Sequence, residues 1–393
     1  MTSADLMIIG GGLAGLMAAA RAEELGADAI LVDFGVPGTP GGLGGFAPFS
    51  GAKFSLAPAG SGLAPVVGGH DQLIELYRSA CVEFANFGLP QFDVGEAELA
   101  GEEYNAGTDL ALRRYHSILL SPAEVDKLIA ALSARLRRVR IIRTSVTSLD
   151  VRSGPPFSVL FADGSRATSR SLVVATGRLG ADLLLEAGVP ETAGKGIDVG
   201  VRLGFADTAP LAGLRAHGPD AKFMSSGVRT FCLNSPGRIF HYPGLGYSLP
   251  GGIVAEPEWQ GANVGVLCRL DDRIRNLRAF AERAPPDGAA LAQRGRGTDL
   301  SWTRQARRVL GEKVIERIDG FIASLVESGL LDLPRDYDVH YPLLDWHWPV
   351  FSLPGRLGTE VPGLVAAGDA SGHARGLMQA AVMGRLAAQE ALG

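Results

Sequence analysis

Cysteine is scarce: the 393 residues hold 3, Cys81, Cys232 and Cys268, far apart and with no C-x-x-C pair. That argues against a disulfide framework and a zinc site, and it fits a reducing cytosol, so a cytoplasmic protein without a metal centre is expected. Charge of one sign is lacking as well. Lys and Arg number 37 against 42 Asp and Glu, a net charge of −5, and the isoelectric point is near 5.9. Nothing in that balance favours a nucleic acid or another polyanion as partner. The run Arg135-Leu136-Arg137-Arg138-Val139-Arg140 reads as a solvated helix end. The most apolar early stretch is broken by glycines and carries Arg21 and Glu23, so it is not a membrane span. Met1 to Asp5 is too short to be a signal peptide ahead of the first strand, and none is expected. There is no internal repeat and no low-complexity tail.

What is present is an ordinary globular composition, 46% hydrophobic and 20% charged, long enough for a large core and two domains. Its organising stretch is residues 6–33. The apolar run Leu6-Met7-Ile8-Ile9 predicts a buried strand that ends in Gly10-Gly11-Gly12-Leu13-Ala14-Gly15, a G-x-G-x-x-G. A helix is expected over residues 16–25, stopped by Gly26, and a second strand, Ala29-Ile30-Leu31-Val32, ends in Asp33. Strand, glycine turn, helix, strand and acid together form the dinucleotide fingerprint. Gly10 permits the tight turn, Gly12 lets backbone approach a pyrophosphate, and Gly15 lets helix and strand pack closely. The helix start, at Leu13 and Ala14, offers free N–H groups to phosphate. Asp33 is placed to accept hydrogen bonds from a ribose.

Residues 35–69 are rich in glycine and proline and carry no periodicity. Phe46, Phe49, Phe54 and Leu56 are spaced among the glycines, which argues against a disordered linker. An ordered loop is expected, its backbone pressed against a large flat ligand at glycines such as Gly44 and Gly45. Lys53, its one cation, is placed either to meet a phosphate, a carboxylate or the polar edge of that flat ligand, or to sit solvated. Residues 71–99 look helical at first. Ser121-Pro122-Ala123-Glu124 is an N-terminal helix signature, with the helix running to about 136. Strands follow over 139–143, 145–151, 157–161 and 172–175, the last ending in Thr176-Gly177. Residues 199–350 read as β-rich, with one long helix over about 301–330. The chain closes with Val365-Ala366-Ala367-Gly368-Asp369, a glycine turn containing His373, Arg375 and Gly376, and an Ala-rich helix from Leu377.

On the fingerprint with Asp33, the Val173-Val174-Ala175-Thr176-Gly177 strand end and Val365-Ala366-Ala367-Gly368-Asp369, the chain resembles the glutathione-reductase-like superfamily of FAD-dependent oxidoreductases. The nearest group is the uncharacterised FAD-dependent dehydrogenases, with shorter echoes at Phe49-Ser50-Gly51-Ala52-Lys53, Ile197-Asp198-Val199-Gly200-Val201-Arg202 and Thr230-Phe231-Cys232. The resemblance implies an α/β fold: a Rossmann-like, doubly wound FAD-binding domain over 1–198 and 351–393, with a second, β-rich substrate domain over 199–350. It implies that Gly10, Gly12 and Gly15 hold the FAD pyrophosphate and Asp33 the adenosine ribose. Val146 would pair with adenine through its backbone. Ala175, Thr176 and Gly177 would pass close to the cofactor, and Asp369 would bind the ribityl chain or pyrophosphate. The helix starting at Gly376 and Leu377 would point its N-terminus at the flavin.

No second G-x-G-x-x-G is present, so residues 199–350 are read as a substrate or cap domain, not a nicotinamide domain. Residues 244–251 fail as a fingerprint because Pro250 would break the helix start. The expected reaction is hydride transfer at flavin N5 to or from a small organic substrate, with an external electron partner. The alternatives are a flavin monooxygenase or halogenase-like enzyme, and a non-catalytic FAD-binding redox sensor. Asp345-Trp346-His347-Trp348-Pro349 is similar to the halogenase W-x-W-x-I-P motif but incomplete, and is read as a wall of the substrate pocket or the domain interface. Catalytic candidates are His373, as base or flavin partner, with Lys53 and Ser50 in the loop. His241, Tyr242 and Tyr247 are further pocket candidates. Cys232 is read as a core residue because no cation adjoins it in sequence.

Overall fold

The computed structural model describes residues 2–36, 40–89, 102–103, 107–152, 154–299 and 302–393. Two sheets organise them. In the first, the strands run in the order Arg140–Arg143, Ala29–Asp33, Thr2–Ile9, Arg166–Val174, Phe157–Phe161, Val146–Asp150. The first four are parallel. Arg166–Val174 is longer than the apolar core of its sequence suggests. Its first half pairs antiparallel with Phe157–Phe161 and its second half parallel with Leu364–Ala366. Thr2–Ile9 connects outward through Ala29–Asp33, whereas Arg166–Val174 pairs with the C-terminal strand on the opposite side. The strand order therefore reverses between Thr2–Ile9 and Arg166–Val174, and an open parallel sheet has its crevice at that point, beyond the carboxyl ends. The α/β class with a second, antiparallel sheet is as expected.

The first helix, Leu13–Leu25, is bare of polar groups on its buried side because Leu13, Leu16, Met17, Ala18, Ala19 and Ala22 all face one core. The closing helix, Leu377–Leu392, lies so near it that a Cβ on Gly384 would overlap the Ala14 carbonyl oxygen. Pro122–Arg135 starts with the anticipated cap: Ser121 Oγ accepts from the Glu124 N–H at 3.3 Å, and Glu124 accepts from the Ser121 N–H at 2.7 Å. The helix anticipated from residue 71 runs His70–Ala85; residues 90–99 lie outside the described residues.

The second sheet is antiparallel throughout: Leu291–Gly295, Tyr337–Asp345, Ile197–Phe205, Ala262–Leu270, Val228–Asn234, Lys222–Ser225, Ala111–Arg113, Glu102–Glu103. The anticipated boundary at 198/199 thus falls inside the strand Ile197–Phe205, and Ala111–Arg113 joins this sheet from the N-terminal half. A hairpin of Gly237–Gly244 and Tyr247–Val254 packs against it, and here the rejected second fingerprint is a β-turn with no helix. The single long helix anticipated over 301–330 is two, Thr303–Leu310 and Glu312–Glu327. Gly311 between them has φ 90, which ends the first helix; Ser301 lies outside the described residues. Glu312–Glu327 turns Val314, Ile315, Ile318, Phe321, Ile322 and Leu325 onto the sheet, a helical-period stripe.

Candidate functional site

A cleft of about 1200 Å³ opens along the carboxyl ends of the parallel strands and continues between the two sheets. Two helices begin at it. Leu13–Leu25 follows Gly12 and Leu377–Leu392 follows Gly376, and neither helix has a side-chain cap. The first bonds into the helices are Leu16 N–H to Gly12 O and Ala380 N–H to Gly376 O. The N–H groups of the first turn in each helix therefore have no intrahelical partner.

The fingerprint glycines divide by job. A Cβ on Gly10 would overlap the Ala175 carbonyl, and one on Gly15 the Gly10 carbonyl oxygen, so both are fixed by packing; Gly15 does not line the cleft. A Cβ on Gly12 would meet nothing nearer than Gly45 Cα at 4.0 Å, so this position opens to the cleft. Leu13, Ala14, Gly44, Gly45, Val146, Ala175, Thr176, Gly177, Gly368, Asp369, Gly376 and Leu377 all line it. Gly44 is brought there by its N–H bonding Gly11 O at 2.8 Å. Asp33 also lines the cleft, but both carboxylate oxygens already accept backbone N–H groups, Gly11 at 2.6 Å and Gly35 at 2.7 Å. Each oxygen keeps a second acceptor direction. Asp369 pairs with Arg178 at 3.0 Å, and the Arg178 guanidinium lies 4.4 Å from the Trp348 ring centroid. Burial pulls Arg178 down, but Asp369, Tyr242 and Asp345 outweigh that and hold it above its ordinary value.

The three catalytic candidates reach the same cleft. His373 Nε2 sits 2.8 Å from Phe351 O. A carbonyl only accepts, so that bond assigns the proton to Nε2 and leaves the Nδ1 lone pair open. Burial, opposed by the Phe351 bond and assisted by Lys195, holds the ring below its ordinary pKa, in the neutral form. Lys53 is not a solvated loop lysine: its side chain is 8% exposed, donates to Leu233 O and pairs with Asp220 at 3.7 Å. Ser50 Oγ donates to Ala47 O at 2.7 Å and accepts from the Ala52 N–H at 3.0 Å, so its hydroxyl proton is committed to the turn. Of the aromatic candidates, Trp346, His241 and Tyr242 line the cleft, while Tyr247 is buried and donates to Phe280 O.

The reading of Cys232 needs correction. It lines the cleft, Lys53 and Arg202 both stand close enough to act on it, and Asn234 hydrogen-bonds it. Burial raises the thiol, yet these neighbours bring it below its ordinary value. Sequence reasoning also missed Arg178, Arg202, Asp220, Arg229 and Phe231, all of which line the cleft. Arg202 and Arg229 do carry a signal, a charged residue on a largely apolar strand, as in Ile197–Phe205, where Asp198 and Arg202 are each 1% exposed. Arg178 and Asp220 lie in turns and Phe231 is itself apolar, so these three carry none.

No family model and no curated protein matches the chain. Among solved structures it is similar to a geranylgeranyl bacteriochlorophyll reductase-like protein from Thermoplasma acidophilum at 14% identity, covering 99% of this chain and 78% of that one, TM-score 0.48. It is similar to a flavoprotein/dehydrogenase from Cytophaga hutchinsonii at 13% identity, covering 99% and 78%, TM-score 0.45. A probable FAD-dependent monooxygenase from Pseudomonas aeruginosa is similar at 15% identity, covering 97% and 84%, TM-score 0.40. Likenesses this distant carry nothing about the chemistry of this chain.

Proposed function

We propose that this chain binds FAD in the cleft and is a flavin-dependent oxidoreductase that moves a hydride between flavin N5 and a small organic substrate. The observation that carries the reading is the pair of uncapped helix N-termini, at Gly12 and Gly376, facing one cleft at the reversal point of a parallel sheet. Two positive dipole ends with unpartnered N–H groups suit a ligand with negative charge at both places, a pyrophosphate and an electron-accepting ring. Bound there, FAD would supply the reversible two-electron chemistry that protein side chains lack.

In this reading Gly12, Leu13 and Ala14 hold the pyrophosphate through backbone N–H groups. Asp33 uses its remaining acceptor directions for the adenosine ribose, the Val146 backbone meets the adenine, and Asp369 takes the ribityl chain or pyrophosphate. Gly44, Gly45, Thr176 and Gly177 give the backbone close approach. The helix start at Gly376 and Leu377 stabilises negative charge on the ring. His373 offers Nδ1 as the proton acceptor. Residues 1–198 and 351–393 form the cofactor side and 199–350 the substrate side, with Ala111–Arg113 added to the latter. The glutathione-reductase-like label belongs to the same proposal, and the missing second fingerprint supports an external electron partner.

The test is direct. Purified protein is expected to be yellow and to release FAD on denaturation, identified by its mass. A colourless protein that takes up no FAD refutes the reading. Bleaching by an organic donor but not by NADH or NADPH is the expected dehydrogenase behaviour; rapid bleaching by NADPH with oxygen-dependent reoxidation favours a monooxygenase instead.

A further inference from the structure

The cleft wall built by the second sheet is charged in an unbalanced way. Arg202, Lys222 and Arg229 come from that sheet, Lys53 and Arg375 face the cleft beside it, and the carboxylates lining the same part are Asp220 and Asp345. Behind the wall, buried Asp198 pairs with Arg229 at 2.5 Å and also with Arg269. Asp345 is shared by Arg229 at 3.3 Å and Arg375 at 3.0 Å. Two carboxylates thus serve three guanidiniums. Arg202 has none among the described residues. Although 1% exposed, it donates to Asn263 Oδ1 at 2.7 Å and to the Cys232 and Pro250 carbonyls at 3.3 Å each, and the groups near it able to carry a negative charge are the Cys232 thiol and Tyr242. Burial pulls its guanidinium below its ordinary value. A buried cation without a carboxylate partner is costly, and an anion entering the cleft would offset that cost.

The guanidiniums converge. Arg375 lies 4.4 Å, Arg229 5.2 Å and Arg202 5.8 Å from the centroid of the Phe231 ring, which itself faces the cleft. Trp346 stands beside them, 5.7 Å from Arg375. Each guanidinium has five donors, and the one ion pair of Arg375 among the described residues is with Asp345, so forks remain for a ligand. Ring contacts offset only a small part of such charge. A low-dielectric wall with excess cations focuses its field on whatever enters.

We propose that this part of the cleft recognises an organic anion with a planar body, its oxyanion group, carboxylate or phosphate ester, held by Arg202, Arg229 and Arg375 and its ring flanked by Phe231 and Trp346. The assignment rests on the flavin reading only for the anion's being the substrate. Its binding is independent of that reading.

The experiment compares sodium benzoate, phenyl phosphate and neutral benzamide, titrated calorimetrically into the FAD-loaded protein while the flavin spectrum is followed, and repeated with apoprotein. A colourless protein defeats the flavin reading alone, because the apoprotein titration still reads the anion site. One of the two anions is expected to bind about 10-fold or more tighter than benzamide, the scale of one charge-assisted hydrogen bond. Whichever anion is preferred assigns carboxylate or phosphate. Arg375→Gln is expected to remove the preference, and the wild-type comparison stands if that variant does not fold. Equal binding of all three probes, or binding of none, overturns the proposal. So does an Arg375→Gln protein that keeps its anion preference while its flavin potential falls, since the cations would then serve the reduced ring.

Discussion

Gly12→Asp separates folding from cofactor binding at one atom. Gly12 has φ −67 and ψ 179, extended backbone open to any residue, and its Cβ would meet nothing closer than Gly45 Cα at 4.0 Å. It is the N-cap of Leu13–Leu25, where an aspartate is worth a few tenths of a kcal/mol over glycine, and its charge at the positive end of the helix about 0.3–1 kcal/mol more. The apoprotein should therefore gain about 1 kcal/mol, which over 393 residues moves Tm by only about 1 °C. The same side chain would accept the first-turn N–H groups and repel a phosphate. Losing two charge-assisted bonds costs at least about 3 kcal/mol, a fall in FAD affinity of roughly 100-fold or more. The assay is a thermal melt of the apoprotein beside a calorimetric FAD titration. A variant that melts normally and binds FAD within about threefold of wild type would refute the assignment of this turn to the pyrophosphate.

Gly15→Ala should do the opposite. Its Cβ overlaps the Gly10 carbonyl oxygen, so overpacking costs about 1–3 kcal/mol, read as a lower denaturation midpoint before any cofactor is added. Ser121→Ala removes the cap of Pro122–Arg135 and should cost about 1 kcal/mol in the same measurement, leaving FAD affinity unchanged. His347, buried, is pushed down to about 3, by burial first and then by Arg178 and Arg273. The unfolded chain gains this proton below 6.5 and the fold does not, so full stability is present above pH 6.5 and this one group removes about 1.4 kcal/mol per pH unit as pH falls toward 3. Its Nε2 has no hydrogen-bond partner among the described residues, so His347→Leu should flatten the acid limb of midpoint against pH; an unchanged slope between pH 4 and 6.5 would contradict the shift.

The cofactor side of the cleft was legible because its physics is local. Strand, turn and helix in residues 6–33 are consecutive, and the glycines are forced by contacts within the unit or one strand away, as between Gly10 and Ala175. The cap at Ser121 and the closing helix Leu377–Leu392 are equally local. The split at Gly311 was not read, because the apolar period continues across it and only the positive φ ends the helix. The doubled engagement of Asp33 depends on how the loop after it returns through Gly35, which no pattern within Ala29–Asp33 reveals.

The opposite wall was illegible for a different reason. Its charges come from distant segments: 202, 229 and 345 meet through antiparallel register, and 53 and 375 are brought in from a separate short sheet and from the turn before the closing helix. Register also breaks locally. Strict alternation in Val228–Asn234 would send Phe231 and Cys232 to opposite faces, and the cations that do meet Cys232, Lys53 and Arg202, lie far from it in sequence, so it read as core. The pairing with Ala262–Leu270 shifts between Phe231 and Asn234, and Cys232 takes φ 45, so both side chains face the cleft. A second shift, between Gly200 and Arg202, lies beside the buried guanidinium. Bulges are where a strand re-aims side chains toward a site. Here two of them lie on the wall that carries unpaired positive charge, which ties the irregular backbone to ligand recognition more firmly than any one residue does.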